Sequence, residues 1–314
     1  MSYATTPQVY YNAVGGHRKA FLKLSATNVS QLAHTDRINV WAVSQSWQMG
    51  LGRRGNKPMT SDGVSWKYVD THGGTTWSDY TGAPSPGGSV DGNITHAGLN
   101  LTGSSGDMRF DVSNFIQAWT GSTGNSYGRR DNNGFIVLRY DEDSSIKKGS
   151  FQFFSTETHT IYQPRLEFCW DDSSWTTGSL SELNTDDPSS IFIYLRNNRG
   201  SYKYGEKTKF RIVGREKYPT RTYGTSSTAL SIKYLPSGSA LYSVKDLKTG
   251  EVVIPYDDNF TKISCDGSGN YFEMYTTNLS KERYYQIEIK LYESGSTTNT
   301  IGYYPIKDIF KVIK

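Results

Sequence analysis

The chain has few of the residues that build disulfide frameworks, metal sites or membrane spans. Only two cysteines occur, Cys169 and Cys265, in strand-like segments with no neighbouring Cys or His to complete a ligand set. We therefore expect two separate thiols rather than a bridge or a zinc site, with the redox compartment undetermined. No apolar run of about 18 residues is present. The N-terminus also lacks a basic segment followed by an apolar one, so neither a membrane span nor a signal peptide is predicted.

An excess of one charge is also missing. The formal net charge is +4, and charged residues make up 20% of the chain. The basic pairs 53–54, 129–130 and 147–148 are separated by long neutral stretches. They form no basic stripe of the kind that binds nucleic acid, so no nucleic-acid partner is expected.

Catalytic signatures are absent as well. The chain contains no nucleophile elbow, P-loop, dinucleotide fingerprint or zinc-binding helix, and its histidines never fall at metal-ligand spacing. The acidic pairs 186–187 and 257–258 lie in turn-like sequence, where adjacent aspartates do not converge on a sugar. DGSGN at 266–270 lacks the terminal acid of a calcium loop and is typical of a hairpin turn. We expect no catalytic residue, metal or cofactor, and hence no enzyme.

The aromatic residues, by contrast, are abundant and unevenly placed. Tyrosine alone contributes 23 residues, while every tryptophan and histidine lies at or before Trp175. This asymmetry predicts two different cores. Residues 171–190 are rich in turn formers and contain Pro188, which is typical of a linker. We predict a first domain at 1–178, a linker at 179–190 and a second domain at 191–314.

Alternating apolar residues predict antiparallel strands in both halves. In the second half they lie at 191–195, 209–214, 229–235 and 285–292, separated by short turns, which favours an immunoglobulin-like sandwich. In the first half the clearest strands are 37–43, 134–140, 151–156 and 164–170. Long polar loops join them, which favours a jelly roll. The predicted fold class is all-β: a jelly-roll sandwich with one short helix, followed by an immunoglobulin-like sandwich.

The one helix is predicted from DMRFDVSNFIQAW at 107–119. Val112, Phe115, Ile116 and Trp119 follow the spacing of a single apolar helical stripe. Asp111 or Ser113 is expected to cap it. We interpret the stripe as a structural plug that closes one end of the sandwich.

The loops at 50–64 and 70–80 are the candidate contact surface for a glycan or a protein partner. The residues concerned are Trp66, Asp70, His72, Trp77 and Asp79. Tryptophan rings can stack on a sugar ring while carboxylates accept hydrogen bonds from its hydroxyls. The alternative is that Trp66 and Trp77 pack beneath these loops.

The order of several motifs in the first half resembles the disaggregatase-related, or DNRLRE-type, jelly-roll family. The resemblance covers roughly residues 17 to 170. It implies a carbohydrate-binding-module-like fold and a packing role for the helix. Only a degenerate first strand is present at 10–16, so this strand is short or supplied by a neighbouring subunit. The motifs are INVWAVSQSW (38–47), GLGRR (50–54), GVSWKY (63–68), FDVSNFIQAW (110–119), NNGFIVL (132–138), FQFFSTET (151–158) and YQPRLEF (162–168).

The second half resembles a C-terminal module of uncharacterised virion proteins from tailed phages, through the segments 196–223, 235–264 and 269–291. The resemblance implies a structural or accessory protein of the neck, tail or capsid surface, assembled in the host cytoplasm. Its partners would be other virion proteins and further copies of itself in a homo-oligomer. The alternative function is a carbohydrate-binding-module protein that recognises surface polysaccharide, and a third is a depolymerase fragment.

Overall fold

The computed structural model describes eleven stretches of the chain. Among these residues, strands joined by turns accompany a single α-helix, so the all-β prediction with one short helix is confirmed. No helix in these stretches is long and apolar enough to cross a membrane. The described residues are 18–30, 36–50, 62–65, 67–78, 88–101, 107–121, 126–140, 150–219, 223–224, 231–292 and 301–314.

The chain divides into two compact units. The first is Lys19–Phe168, and the second contains Cys169–Lys314. The turn-rich segment 171–190, which spans the end of the predicted first domain and the predicted linker at 179–190, is bonded to the second unit. Trp175 forms a β-bridge with Cys265, the Thr176 N–H donates to the Cys265 carbonyl at 3.0 Å, and Leu183 is buried.

The first unit contains two larger sheets, a small hairpin and the helix. One sheet has the order β6-β1-β8, with β9 also beside β1, and the other has the order β5-β2-β7. β3 and β4 form the hairpin. The elements are β1 (Arg18–Ser30), β2 (Asp36–Ala42), β3 (Tyr68–Asp70), β4 (Thr75–Thr76), β5 (Ala97–Leu101), β6 (Asp107–Asp111), α1 (Ser113–Thr120), β7 (Phe135–Arg139), β8 (Ser150–Phe153) and β9 (Arg165–Trp170).

Alternation along β1 and β2 places the core of the first unit. Leu22 and Leu24 of β1 are buried, as are Ile38 and Val40 of β2. Successive side chains of a strand point to opposite faces of its sheet. The remaining face of β2 therefore carries a second row of side chains, which forms part of the candidate site described below.

The second unit consists of two sheets. One has the order β10-β14-β13-β18-β17 with β11 also beside β13, and the other has the order β12-β21-β19-β15-β16 with β20 also beside β19. The elements are β10 (Ser181–Glu182), β11 (Ile191–Arg196), β12 (Ser201–Lys203), β13 (Lys207–Glu216), β14 (Lys233–Tyr234), β15 (Ala240–Asp246), β16 (Val252–Ile254), β17 (Ser264–Asp266), β18 (Gly269–Tyr275), β19 (Arg283–Tyr292), β20 (Ile301–Pro305) and β21 (Phe310–Ile313).

Aromatic contacts join the two sheets of the second unit across one core. Tyr242 of β15 stacks on Phe272 of β18 with ring centroids 3.9 Å apart. Phe210 of β13 lies 5.3 Å from Phe310 of β21. Each pair takes one ring from each sheet, so the second unit is a β-sandwich, and such pairs add about 0.5–1.5 kcal/mol beyond their area burial.

An ion pair between the buried Asp246 and the half-buried Arg283 fixes the turn after β15. Both carboxylate oxygens of Asp246 accept hydrogen bonds from Arg283, from Nε at 2.5 Å and from Nη2 at 2.8 Å. The same carboxylate accepts the backbone N–H groups of Lys248 and Thr249. Burial by itself would raise the pKa of Asp246, but the hydrogen bonds from Arg283 and from these two N–H groups bring it below its ordinary value.

The strands predicted at 37–43, 134–140, 164–170, 191–195, 209–214 and 285–292 are present. The strand predicted at 229–235 differs, because within the described residues β14 contains only Lys233 and Tyr234. Leu235 is fully buried there, and Tyr234 is half-buried. The Asn270 side chain accepts the Leu235 N–H at 2.9 Å and donates to the Lys233 carbonyl at 3.0 Å, so these two backbone groups bond to a side chain there.

Candidate functional site

The hairpin of β3 and β4 contains three of the five residues predicted to contact a ligand. Asp70 ends β3, His72 lies in the turn, and Trp77 follows β4. Trp66 and Asp79 lie outside the described residues. The structure therefore brings Asp70, His72 and Trp77 together in one short hairpin.

The Trp77 indole is half-buried and anchored within this hairpin. Its Nε1 donates to the Ser65 carbonyl at 2.9 Å, and its backbone N–H donates to the Lys67 carbonyl at 3.2 Å. These bonds give the ring one orientation. That orientation suits both predicted roles, a stacking platform and a ring packed beneath the loop.

The Asp70 carboxylate stabilises the turn of the hairpin. Its Oδ1 accepts the backbone N–H of His72 at 3.0 Å, the pattern of an Asx-turn. A β-carbon at Gly73 would lie 3.1 Å from its Oδ2. One carboxylate oxygen is thus engaged in the turn, while the His72 side chain is exposed.

Three of the predicted plug residues lie on α1, and the fourth, Val112, lies at its N-terminus. Val112, Phe115 and Ile116 are buried, and Trp119 is half-buried. The indole Nε1 of Trp119 is itself buried and has no hydrogen-bond partner among the described residues.

Contacts of α1 reach both sheets of the first unit. The Val112 N–H donates to the Ala20 carbonyl of β1 at 2.8 Å. On the other side, the Phe115 and Trp119 rings lie 5.7 Å and 4.9 Å from the Phe135 ring of β7. The helix therefore joins a strand of one sheet to a strand of the other.

The two expected capping residues have different partners. Asp111 Oδ1 accepts the Ser113 N–H at 3.1 Å, so the aspartate satisfies one of the first N–H groups of the helix. Ser113 Oγ accepts the Ala20 N–H at 2.9 Å and so holds β1 rather than the helix. Gly121, with φ of 62°, ends the helix in the left-handed conformation that favours glycine.

An aromatic and polar surface that the sequence did not lead us to expect lies on the outer face of β2. Trp41 stacks on His96, with ring centroids 4.3 Å apart and planes inclined by 26°. Arg37, Asn39 and Trp41 share the face of β2 opposite Ile38 and Val40. Arg37 and Trp41 are half-buried, and Asn39 between them is buried. We call Arg37, Asn39, Trp41, His96 and Gly98 the β2 surface.

The Arg37 side chain lies flat across this surface. Its Nε donates to Asn39 Oδ1 at 3.1 Å, and its guanidinium carbon is 5.8 Å from the Tyr140 ring centroid. A β-carbon at Gly98 would lie only 2.5 Å from Arg37 Nη2. The absence of a side chain at Gly98 therefore makes room for the guanidinium.

The β2 surface is positively charged and rich in hydrogen-bond donors. Asp36, on the opposite face of β2, is paired with Arg139 at 2.7 Å. Within the described part of the chain, the Arg37 guanidinium has no carboxylate partner. Burial, and then the nearby Arg37 charge, lowers the pKa of His96, which keeps this imidazole neutral near pH 7.

A second group of aromatic residues lies on the outer face of the second unit. Tyr256 donates its hydroxyl to Glu288 at 2.9 Å, and its ring is 6.0 Å from that of Tyr303. Lys290 donates to the Tyr292 hydroxyl at 2.7 Å. These groups satisfy one another, unlike the donors of the β2 surface.

In the stretches that the structure covers, no three His, Cys, Asp or Glu side chains come together to hold a metal ion. Neither cysteine is in a disulfide bond; Cys169 is half-buried and Cys265 is buried.

Comparison of the chain with protein-family models, curated proteins and solved structures finds no match.

Proposed function

We propose that the protein is a non-enzymatic structural or accessory component of a tailed-phage virion, at the neck, tail or capsid surface. It would dock onto other virion proteins and further copies of itself through loops and strand edges. The motif order of the first half and the segments of the second half that resemble phage virion modules support this proposal.

The structural observation that carries the proposal is the edge formed by β11. This strand pairs with β13 along its whole length, and no other described strand pairs with it. Phe192 on β11 is 39% exposed, and its ring lies 4.8 Å from the Arg215 guanidinium carbon. Such an edge offers backbone hydrogen-bonding groups to a strand of another chain.

Features of the second unit support an immunoglobulin-like topology. The neighbours β11, β13, β18 and β17 follow the A-B-E-D order of that fold, opposite a sheet in which β21, β19 and β15 correspond to G-F-C. Tyr285 near the start of β19 accepts the Ser280 N–H at 2.7 Å and donates to its carbonyl at 3.2 Å. A tyrosine bonded back to upstream backbone at this corner is typical of immunoglobulin-like domains.

Particle composition tests the proposal directly. In gradient-purified particles from a culture that expresses the protein, we expect quantitative mass spectrometry to find it at a copy number set by the symmetry of the site where it docks. Recovery only in the secreted or cell-surface fraction would contradict the virion assignment.

A substitution at the β11 edge tests the docking mode. We expect Phe192→Glu to lower incorporation into particles about tenfold, because it places a charge beside the edge that would be covered. Val252→Glu is the matched control: Val252 is 48% exposed on β16, which ends the other sheet. Equal incorporation of both variants would show that β11 is not the docking edge.

The second candidate function is recognition of surface polysaccharide. The observation that favours it is the hairpin that holds Asp70, His72 and Trp77 together, with an oriented half-buried indole beside polar groups. Under this proposal Trp77→Ala abolishes polysaccharide binding at the hairpin while the protein stays folded.

A further inference from the structure

Alternate backbone groups of β11 point away from its neighbour β13. The Lys217 N–H donates to the Ser190 carbonyl at 2.6 Å, in line with the register of the two strands. Directly opposite residues of an antiparallel pair alternate between hydrogen-bonded and non-hydrogen-bonded positions. The even-numbered residues of β11 therefore bond to β13. The N–H and C=O groups of Ile191, Ile193 and Leu195 face the edge, where no other described strand pairs with them.

The opposite side of the same sheet is covered by the chain itself. Trp175 forms a parallel bridge with Cys265 of β17, and the Ser174 carbonyl accepts the Cys265 N–H at 3.0 Å. The Ser174 N–H donates to Ser264 Oγ at 3.1 Å. β10, on the same side, has only two residues. β11, with six residues, is thus the long edge of this sheet that the described residues leave open.

The side chains of β11 suit pairing with a second copy of the same strand. Phe192 and Tyr194 share its outer face, with ring centroids 5.7 Å apart. The strand is preceded by Asp186 and Asp187 and ends at Arg196, and all three of these residues are exposed. Because an antiparallel partner runs in the opposite direction, a second copy brings its basic end to the acidic end of the first. The edge is therefore complementary to itself in charge.

We propose that β11 pairs with β11 of a second copy, antiparallel and about a two-fold axis at Ile193. This inference rests on the proposed docking role of the β11 edge and names a second copy as the partner. In this register Ile191 lies opposite Leu195 of the second copy, and about six backbone hydrogen bonds form between the outward groups. Phe192 lies opposite Tyr194 of the second copy. The four rings then form one cluster at the centre of a continuous sheet.

The charges near Phe192 select this register over its symmetric alternative. An axis at Tyr194 instead of Ile193 would place Arg196 of the second copy opposite Phe192. The Phe192 ring already lies 4.8 Å from the Arg215 guanidinium carbon. Two guanidinium groups would then lie against one ring, where their like charges repel. The axis at Ile193 keeps Arg196 at the outer ends of the paired strands.

Sedimentation of the purified full chain over a range of concentrations tests the pairing. We expect a reversible equilibrium between monomer and dimer. Phe192→Glu should weaken dimerisation about tenfold or more, because a charge replaces an aromatic contact at the centre of the interface. Val252→Glu, on β16 at the end of the other sheet, is the matched control and should dimerise as the parent does.

Cysteine cross-linking tests the register. A disulfide requires Cα atoms within about 7 Å, which directly opposite residues satisfy, whereas diagonal neighbours are about 7–8 Å apart. On mild oxidation we expect a mixture of Phe192→Cys and Tyr194→Cys chains to form a linked dimer, and either variant alone to form none. The parent chain, oxidised in the same way, controls for Cys169 and Cys265.

Three results would overturn the proposal: a full chain that stays monomeric at every concentration, unchanged dimerisation in Phe192→Glu, or cross-linking of Tyr194→Cys alone. A monomeric chain whose Phe192→Glu variant still enters particles poorly would overturn the self-pairing and leave the virion proposal, with a strand of another virion protein at the edge. A dimeric chain that is absent from particles would support the self-pairing and contradict the virion proposal.

Discussion

Replacing Trp119 with alanine is expected to lower the free energy of unfolding of the first unit by about 3–5 kcal/mol, as large core truncations do. The indole lies 4.9 Å from the Phe135 ring and 6.2 Å from that of Phe115. Its removal leaves a cavity where α1 meets β7. Urea titration of the full chain, followed by circular dichroism and tryptophan fluorescence, measures the effect.

Two further substitutions on α1 separate packing from other causes. Trp119→Phe keeps a ring and removes the buried Nε1, which has no partner within the described stretches, so its cost should be well below that of alanine. Asn114→Ala, on the same helix but outside the apolar stripe, should change stability by less than about 0.5 kcal/mol. A Trp119→Ala protein as stable as the parent would show that α1 does not close the sandwich.

Replacing Asp246 with alanine should lower the stability of the second unit by about 1.5–3 kcal/mol, the contribution of hydrogen bonds to a charged group. The substitution leaves the half-buried Arg283 without this carboxylate and frees the N–H groups of the turn at Lys248 and Thr249. Calorimetric unfolding at pH 7 measures the loss. Glu282→Gln, which breaks the exposed pair of Glu282 with Lys311, is the control and should have a much smaller effect.

The same pair predicts a dependence on pH. The pKa of Asp246 is lower in the folded protein, so its contribution to stability is fully present above its unfolded pKa of about 3.9 and is lost as the pH falls through the folded value. The stability difference between the parent and Asp246→Ala should therefore be constant from pH 7 to 5 and shrink below about pH 4. A difference that does not change on acidification would contradict this linkage.

The sequence predicts local structure well where one periodicity dominates. The spacing of Phe115, Ile116 and Trp119 predicts α1, because these residues do not also fit the alternation of a strand. The alternation that includes Ile287 and Ile289 predicts β19 equally clearly. At Leu235 the pattern fails, because an asparagine side chain from another strand takes the hydrogen bonds that a partner strand would have taken. Such a contact depends on tertiary structure and leaves no local sequence signal.

The candidate site is less accessible to sequence reasoning than the fold. Asp70, His72 and Trp77 are close in the chain, so their proximity in the hairpin could be anticipated. The β2 surface joins Arg37 and Trp41 to Gly98 of β5 and to His96 just before it, and β5 pairs with β2 across more than 50 residues of sequence. The alternation of Arg37, Asn39 and Trp41 was the available signal. Alone it indicates a polar face of the strand. The need for glycine at position 98 becomes visible only when the structure places Arg37 beside it.

The pairing of β1 has a consequence for synthesis of the chain. β1 emerges from the ribosome before its partners β6, β8 and β9, which come from residues 107–111, 150–153 and 165–170. At a translation rate of about 5–20 residues per second, the apolar row of the nascent strand stays unpaired for several seconds. Lys19 and Lys23 alternate with that row, and their charges disfavour pairing of the strand with another chain during this time. Translation speed through residues 107–170 therefore sets when the first unit can close.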